Sequence, residues 1–221
     1  MQAERQLTSG TGIAYESGHM STEQQPAVEL QPPADGAGPL LQRDYWAVIA
    51  NCRCKPSEVM REVTTHFTEL HAEDIVTFTR ADASAGCLAV GDCLDIEIRM
   101  AGLARVQVMH TSPCSITLGT LRGHPEAGRI TFGSYRSESG GVIFHIRSRA
   151  RSSSIWTYCG FLVGGDPMQT ESWTTFIQNI AGKCGDGVDG IVHAETRTLS
   201  SDDWLPGDES MDEPTFVALA D

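Results

Sequence analysis

From Cys93 to Arg149 the chain sets one short strand-like run after another, with no segment long enough for a helix between them. "CLDIEIRM" (93–100) places Leu94, Ile96, Ile98 and Met100 on one face and Asp95, Glu97 and Arg99 on the other. A period of two marks a strand with one dry and one wet side. "RVQVMH" (105–110) follows a turn at Ala101-Gly102, and "SITLGTL" (115–121) and "RITFGSY" (129–135) come next. "GVIFHIRSR" (141–149) closes the series across the turn "RSESGG". Connections this short join antiparallel neighbours. "DYWAVIANC" (44–52) and "IVTFT" (75–79) are further strand candidates upstream.

Helical periodicity occurs on either side of this series. In "KPSEVMREVTTHFTELHAED", Pro56 suits the first helical position, and Val59, Met60, Val63, Phe67 and Leu70 share a face. Near the other end, Asp166 reads as an N-cap, Pro167 as N1 and Gln169 as N3 of a capping box. Trp173, Phe176, Ile177 and Ile180 then follow helical spacing, and Gly182 is placed to end the helix. The expected class is α+β with a helix-grip architecture: a curved antiparallel sheet of six to seven strands wrapped on a long C-terminal helix over 166–182. A meander of that length twists and curls, so its apolar inner face needs a cover. Space left beneath the cover is a natural ligand cavity.

Charge divides the chain. Residues 1–41 set one arginine against five acids, and residues 185–221 set one arginine against ten. The whole carries −13, so the middle is neutral. Residues 1–41 are expected to be a disordered acidic leader, 42–184 the helix-grip domain, and 185–221 an acidic, mostly disordered tail in which "IVHAETRTL" can add one strand. A neutral centre with acidic ends has no footprint for nucleic acid or anionic membranes. No apolar run reaches the roughly 20 residues a membrane helix needs. The seven cysteines lack both a disulfide-like spacing and a metal-ligand spacing. Reduced thiols and a cytoplasmic location are expected, with no metal and no cofactor.

Extending the alternation puts Val106, Val108 and His110 on the apolar face, with Ile116, Leu118 and Thr120, then Ile130, Phe132 and Ser134, then Phe144, Ile146 and Ser148. A greasy wall with a few polar groups suits a small hydrophobic molecule, and Thr120, Ser134, Tyr135, Ser148, Trp173 and Phe176 are its expected contacts. His124 and Glu126 lie together in "RGHPEAG". Beside a carboxylate such a histidine could move protons, so His110, His124 and Glu126 are the candidate acid/base groups. The competing reading of that run is a shaped turn built on glycine and proline. His145, Arg147 and Arg149 fall on the opposite, wet face, either as a salt-bridged row or as an anion patch.

The stretch "GTLRGHPEAGRITF" (119–132) resembles the signature of the domain of unknown function 1990 family, also called uncharacterised protein family 0548. Gly119, Thr120, Leu121, Gly123, His124, Glu126 and Gly128 match its Gly-Thr-Leu-x-Gly-His-x-Glu-x-Gly run. "VGDCLDIEI" (90–98) and "HIRSRARSS" (145–153) resemble flanking parts, and "GDPMQTESWTTF" (165–176) is similar to the helix of fungal and related eukaryotic members. The resemblance covers about residues 44 to 182. Many bacterial members have a strongly basic last helix, which this chain lacks. The family brings no established reaction. It is similar to the START-like helix-grip class, which includes lipid carriers, hormone receptors and natural-product cyclases. Binding of a small apolar or amphipathic molecule is therefore expected. A cyclase or condensing enzyme in the same cavity is the alternative, and a protein-interaction module the second alternative.

Overall fold

The computed structural model describes residues 29–71, 74–81, 86–99, 102–200, 203 and 211, with the side chains of 155–168 excepted. The fold is α+β. Eight strands form one antiparallel sheet in the order β2-β3-β4-β5-β6-β7-β1-β8. They are β1 (Ala37–Ile49), β2 (Val76–Arg80), β3 (Cys93–Ile98), β4 (Gly102–Ser112), β5 (Ser115–Thr120), β6 (Glu126–Arg136), β7 (Val142–Ser152) and β8 (Val188–Thr198). Strands β2 to β7 are the expected meander. Strand β1 returns to pair with β7, and β8 pairs with the far side of β1, from Leu41↔Thr198 to Ile49↔Val188.

Helix α1 (Pro56–Thr65) begins at the expected proline, and Glu58 accepts the Lys55 N–H at 2.9 Å. It runs into a 3-10 turn over Phe67–Glu69. Val59, Met60, Val63, Phe67 and Leu70 are all buried, as their shared face requires. Helix α2 (Ile155–Cys184) lies against the same face of the sheet. Phe176, Ile177 and Ile180 join Tyr45, Ala47, Phe132, Phe144 and Ile146 in one core.

Four details differ from expectation. The sheet has eight strands, because the run expected to be mostly tail contributes β8 as an edge. Strand β1 starts at Ala37, inside the expected leader, and Leu30 bridges to Leu121. Helix α2 begins at Ile155, eleven residues before the expected cap, so Asp166 and Pro167 are interior. A proline deletes one N–H from the helical ladder and can be carried inside a long helix that packing holds in place. Gly182 is also interior; the helix ends where the N–H groups of Gly185 and Gly187 both reach the Ala181 carbonyl.

Candidate functional site

In β1, Arg43, Tyr45, Ala47 and Ile49 face α2, while Gln42, Asp44 and Trp46 face outward. Cross-strand pairing sets the inner rows. Tyr45, Ile146 and Phe132 are opposite one another, and Arg43, Ser148 and Ile130 form the next row. Beyond them Glu126, at the start of β6, reaches back to Arg43, with Nη1 to Oε1 at 3.0 Å. The other carboxylate oxygen of Glu126 accepts from Gln169 Nε2 of α2 at 3.2 Å. Trp173, one turn further along α2, sits over Phe132 with ring centroids 5.6 Å apart.

His71, just after the 3-10 turn, completes this region. Its ring stacks on Phe78 at 3.9 Å and meets Phe176 at 4.8 Å and Trp173 at 5.8 Å. Burial among these rings pushes its pKa from 6.5 down to about 3, so the imidazole is neutral. Both of its ring nitrogens are buried without a hydrogen-bond partner. So are Ser148 Oγ, Gln169 Oε1, Ser172 Oγ and Trp173 Nε1. Ser172 and Trp173 lie one turn from Gln169 and Phe176, so these groups share the inner face of α2.

The expected site residues divide between this region and elsewhere. Glu126 and Ser148 lie on the inner side of the sheet, and Trp173 and Phe176 on the face of α2 turned to it. Ser134 is on the inner face but donates to the Ile143 carbonyl at 2.9 Å. Thr120 Oγ1 accepts the Gly128 N–H at 2.9 Å and lies 3.0 Å from the carbonyls of Gln31 and Gly128. It therefore locks the loop. Tyr135 is on the outer face, with its hydroxyl 3.0 Å from His145 Nδ1. His110 is also on the outer face, and its Nε2 lies 3.4 Å from the Met211 carbonyl. A bulge is the cause: Val108 pairs with Leu118 but His110 pairs with Thr117, so one extra residue turns His110 over.

The side chains of His124 and Glu126, expected as a pair, bond different partners. His124 Nδ1 lies 3.0 Å from the backbone N–H of Glu126, while the carboxylate goes to Arg43 and Gln169. Burial lowers the His124 pKa, against a smaller opposing pull from Glu126. The Gly-His-Pro-Glu-x-Gly run acts as a shaped loop. Gly123 has φ +97°, and Gln31 clasps the turn by donating to the His124 and Glu126 carbonyls, each at 2.9 Å. Gly128 (φ +154°) is packed so closely that a Cβ would fall 2.2 Å from the Arg149 carbonyl oxygen. The product of this loop is the placement of Glu126 under the helix.

Arg43 and His71 escaped the sequence reading. Continuing the alternation of Tyr45, Ala47 and Ile49 backwards by two would have put Arg43 on the inner face. His71, four residues after Phe67, continues the buried face of α1 and its 3-10 turn. His145, Arg147 and Arg149 do lie on the outer face, but His145 and Arg149 are buried there. Asp44 bonds His145 Nε2 at 2.7 Å, Arg147 Nε at 2.5 Å and Gln42 Nε2 at 2.6 Å, and Arg149 Nε donates to Gln42 Oε1 at 2.9 Å. Burial alone would raise the Asp44 pKa. The hydrogen bonds from His145, Arg147 and Gln42 outweigh it and bring the value down to about 2.

No metal-ligating cluster and no helix long and apolar enough to cross a membrane occur among the described residues. No curated protein matches the chain. Among solved structures, a hypothetical protein from Helicobacter pylori is similar at TM-score 0.47 and 6% identity, over 80% of this chain and 99% of that one. The di-domain ARO/CYC StfQ from the steffimycin biosynthetic pathway gives TM-score 0.46 and 7% identity over 66% of this chain; the chain spans 51% of that protein. Major latex-like protein 151 from Panax ginseng gives TM-score 0.39 and 12% identity, over 66% of this chain and 99% of that one. The family model described as a domain of unknown function, DUF1990, matches residues 60–170, from inside α1 to Gln169 and just beyond. That is half of the 221 residues, and the chain belongs to the DUF1990 family.

Proposed function

We propose that this protein binds a small apolar or amphipathic molecule between α2 and the inner face of its sheet. One observation carries the reading: Ser148, Gln169, Ser172, Trp173 and His71 all bury polar atoms there without a partner. Each such atom costs about 1–3 kcal/mol when left unmatched, and five residues with that cost are grouped in one region. The walls around them are aromatic, from Phe67, Phe78, Phe132 and Phe176. Aromatic walls with a few convergent polar atoms are the usual chemistry of a small-molecule site. Thr120, Ser134 and Tyr135, whose polar groups are satisfied within the chain, are not needed as contacts in this reading.

Native mass spectrometry of protein purified from its source, followed by organic extraction, tests it. The expected result is a bound mass that denaturation releases. Protein that carries no adduct and fails to displace or take up any apolar fluorophore overturns the reading. The cyclase alternative would need the Glu126 carboxylate released from Arg43 and Gln169.

A further inference from the structure

We propose that the molecule held beneath α2 is uncharged and carries at least one group that both donates and accepts hydrogen bonds, such as an alcohol or phenol, and is not a carboxylate or phosphate ester. This rests on the binding reading above and deepens it.

The charge balance of the site is the first argument. Among the described residues its cation is Arg43, already opposite Glu126 at 3.0 Å, with side-chain exposures of 4% and 12%. The second Glu126 oxygen is held by Gln169. His71, the other titratable group among the unmatched atoms, is kept neutral by its ring surroundings. An anionic head group would therefore enter a desolvated region whose positive charge is already balanced. Burying an uncompensated ion costs several kcal/mol.

The inventory of unmatched atoms is the second argument. Trp173 Nε1 can only donate, and Gln169 Oε1 can only accept. Ser148 and Ser172 can do either, and a neutral imidazole offers one of each. An ionised carboxylate offers acceptors alone and would set a negative oxygen against the Gln169 carbonyl. A plain hydrocarbon would leave every one of these atoms unmatched. A hydroxyl group can answer both the Trp173 donor and the Gln169 acceptor, which lie one helical turn apart.

Three probes of the same ring size separate these cases: naphthalene, naphthol and naphthoate, each titrated at pH 7 against the full chain by tryptophan fluorescence and calorimetry. Naphthol is expected to bind at least about tenfold more tightly than either of the others. In Trp173→Phe, which keeps an aromatic ring and removes the donor, the preference for naphthol over naphthalene should shrink about five- to tenfold. Naphthoate binding as tightly as naphthol would overturn the neutral-head proposal and leave the binding reading standing. Equal affinity for naphthalene and naphthol would do the same. No binding of any of the three would overturn both.

Discussion

Asp44 and Arg43 are consecutive residues of β1 that point to opposite faces of the same sheet, and both are buried. On the outer face, Asp44 is one member of a closed set. Arg149 bonds Gln42, Gln42 bonds Asp44, Asp44 bonds both His145 and Arg147, and His145 bonds Tyr135, all at 2.5 to 3.0 Å. On the inner face, Arg43 and Glu126 bond each other, but Ser148, Gln169, Ser172, Trp173 and His71 around them keep unmatched atoms. Buried polar groups persist at low cost when every member is satisfied and at high cost when some are not. None of these six outer residues leaves a buried side-chain atom unmatched, although Nε of Arg129, cross-strand from Arg149, is unmatched. The inner set leaves atoms unmatched, and the proposed ligand rests on that difference.

If that contrast is right, breaking the outer set should hurt most. Asp44→Ala removes the carboxylate that His145, Arg147 and Gln42 share. Removing one partner from a buried ion pair costs about 3–5 kcal/mol. Arg147 is 24% exposed, which sets the expectation at the low end, about 3 kcal/mol. Urea unfolding checks it, and a loss below about 1 kcal/mol would mean the outer network is not structural.

Acid separates the two faces. His71 has its folded pKa lowered to about 3 from 6.5, so below pH 6.5 the unfolded chain takes up a proton that the folded chain refuses. Stability tied to His71 is complete above pH 6.5 and falls as pH drops toward 3. Between pH 6.5 and 4.5 that loss is about 2–3 kcal/mol. In His71→Phe this slope should be shallower by that amount, measured as unfolding free energy against pH. An unchanged slope would remove His71 from the interior. Asp44 acts later. Its pKa falls from 3.8 to about 2 on folding, so its contribution is complete above pH 3.8 and disappears as pH falls through 2. That loss is about 2 kcal/mol, and Asp44→Ala should lack it.

Alternation made the inner face legible. Val106, Val108, Ile116, Leu118, Phe132, Phe144 and Ile146 are all core, as a period of two requires. It failed at His110, where one bulged residue inverted the parity with no glycine or proline in "RVQVMH" to announce it. The start of α2 was hidden for the opposite reason. Asp166-Pro167 is a strong local start signal, but it stands inside a helix that tertiary packing sustains. Burial on the outer face was illegible in kind. A row of His145, Arg147 and Arg149 between apolar residues reads as wet, and only the cross-strand neighbour Asp44 shows that the row is a closed network. The placement of the candidate site's residues was half legible. Ser148, Trp173 and Phe176 follow from periodicity, whereas Arg43 and His71 lie just past the ends of the runs that periodicity defines.

The smallest effects give the sharpest version of the comparison, because they should be nearly absent. Ser148→Ala and Ser172→Ala delete hydroxyl groups that have no partner in the folded chain. A hydroxyl that makes no bond yet loses its hydration on folding opposes stability, so its removal should not destabilise. Each variant is expected within about 1 kcal/mol of the parent in urea, on the stabilising side if anything. The matched control is Ser134→Ala, which is buried on the same face but donates to the Ile143 carbonyl. Its removal should cost about 1–2 kcal/mol, because the bond is lost and that acceptor is left behind. Ligand affinity should show the reverse order. Ser148→Ala and Ser172→Ala should weaken naphthol severalfold, and Ser134→Ala should not. If Ser148→Ala and Ser172→Ala destabilise as much as Ser134→Ala does, their hydroxyls are satisfied in solution, and the distinction between a closed outer set and an open inner one is lost.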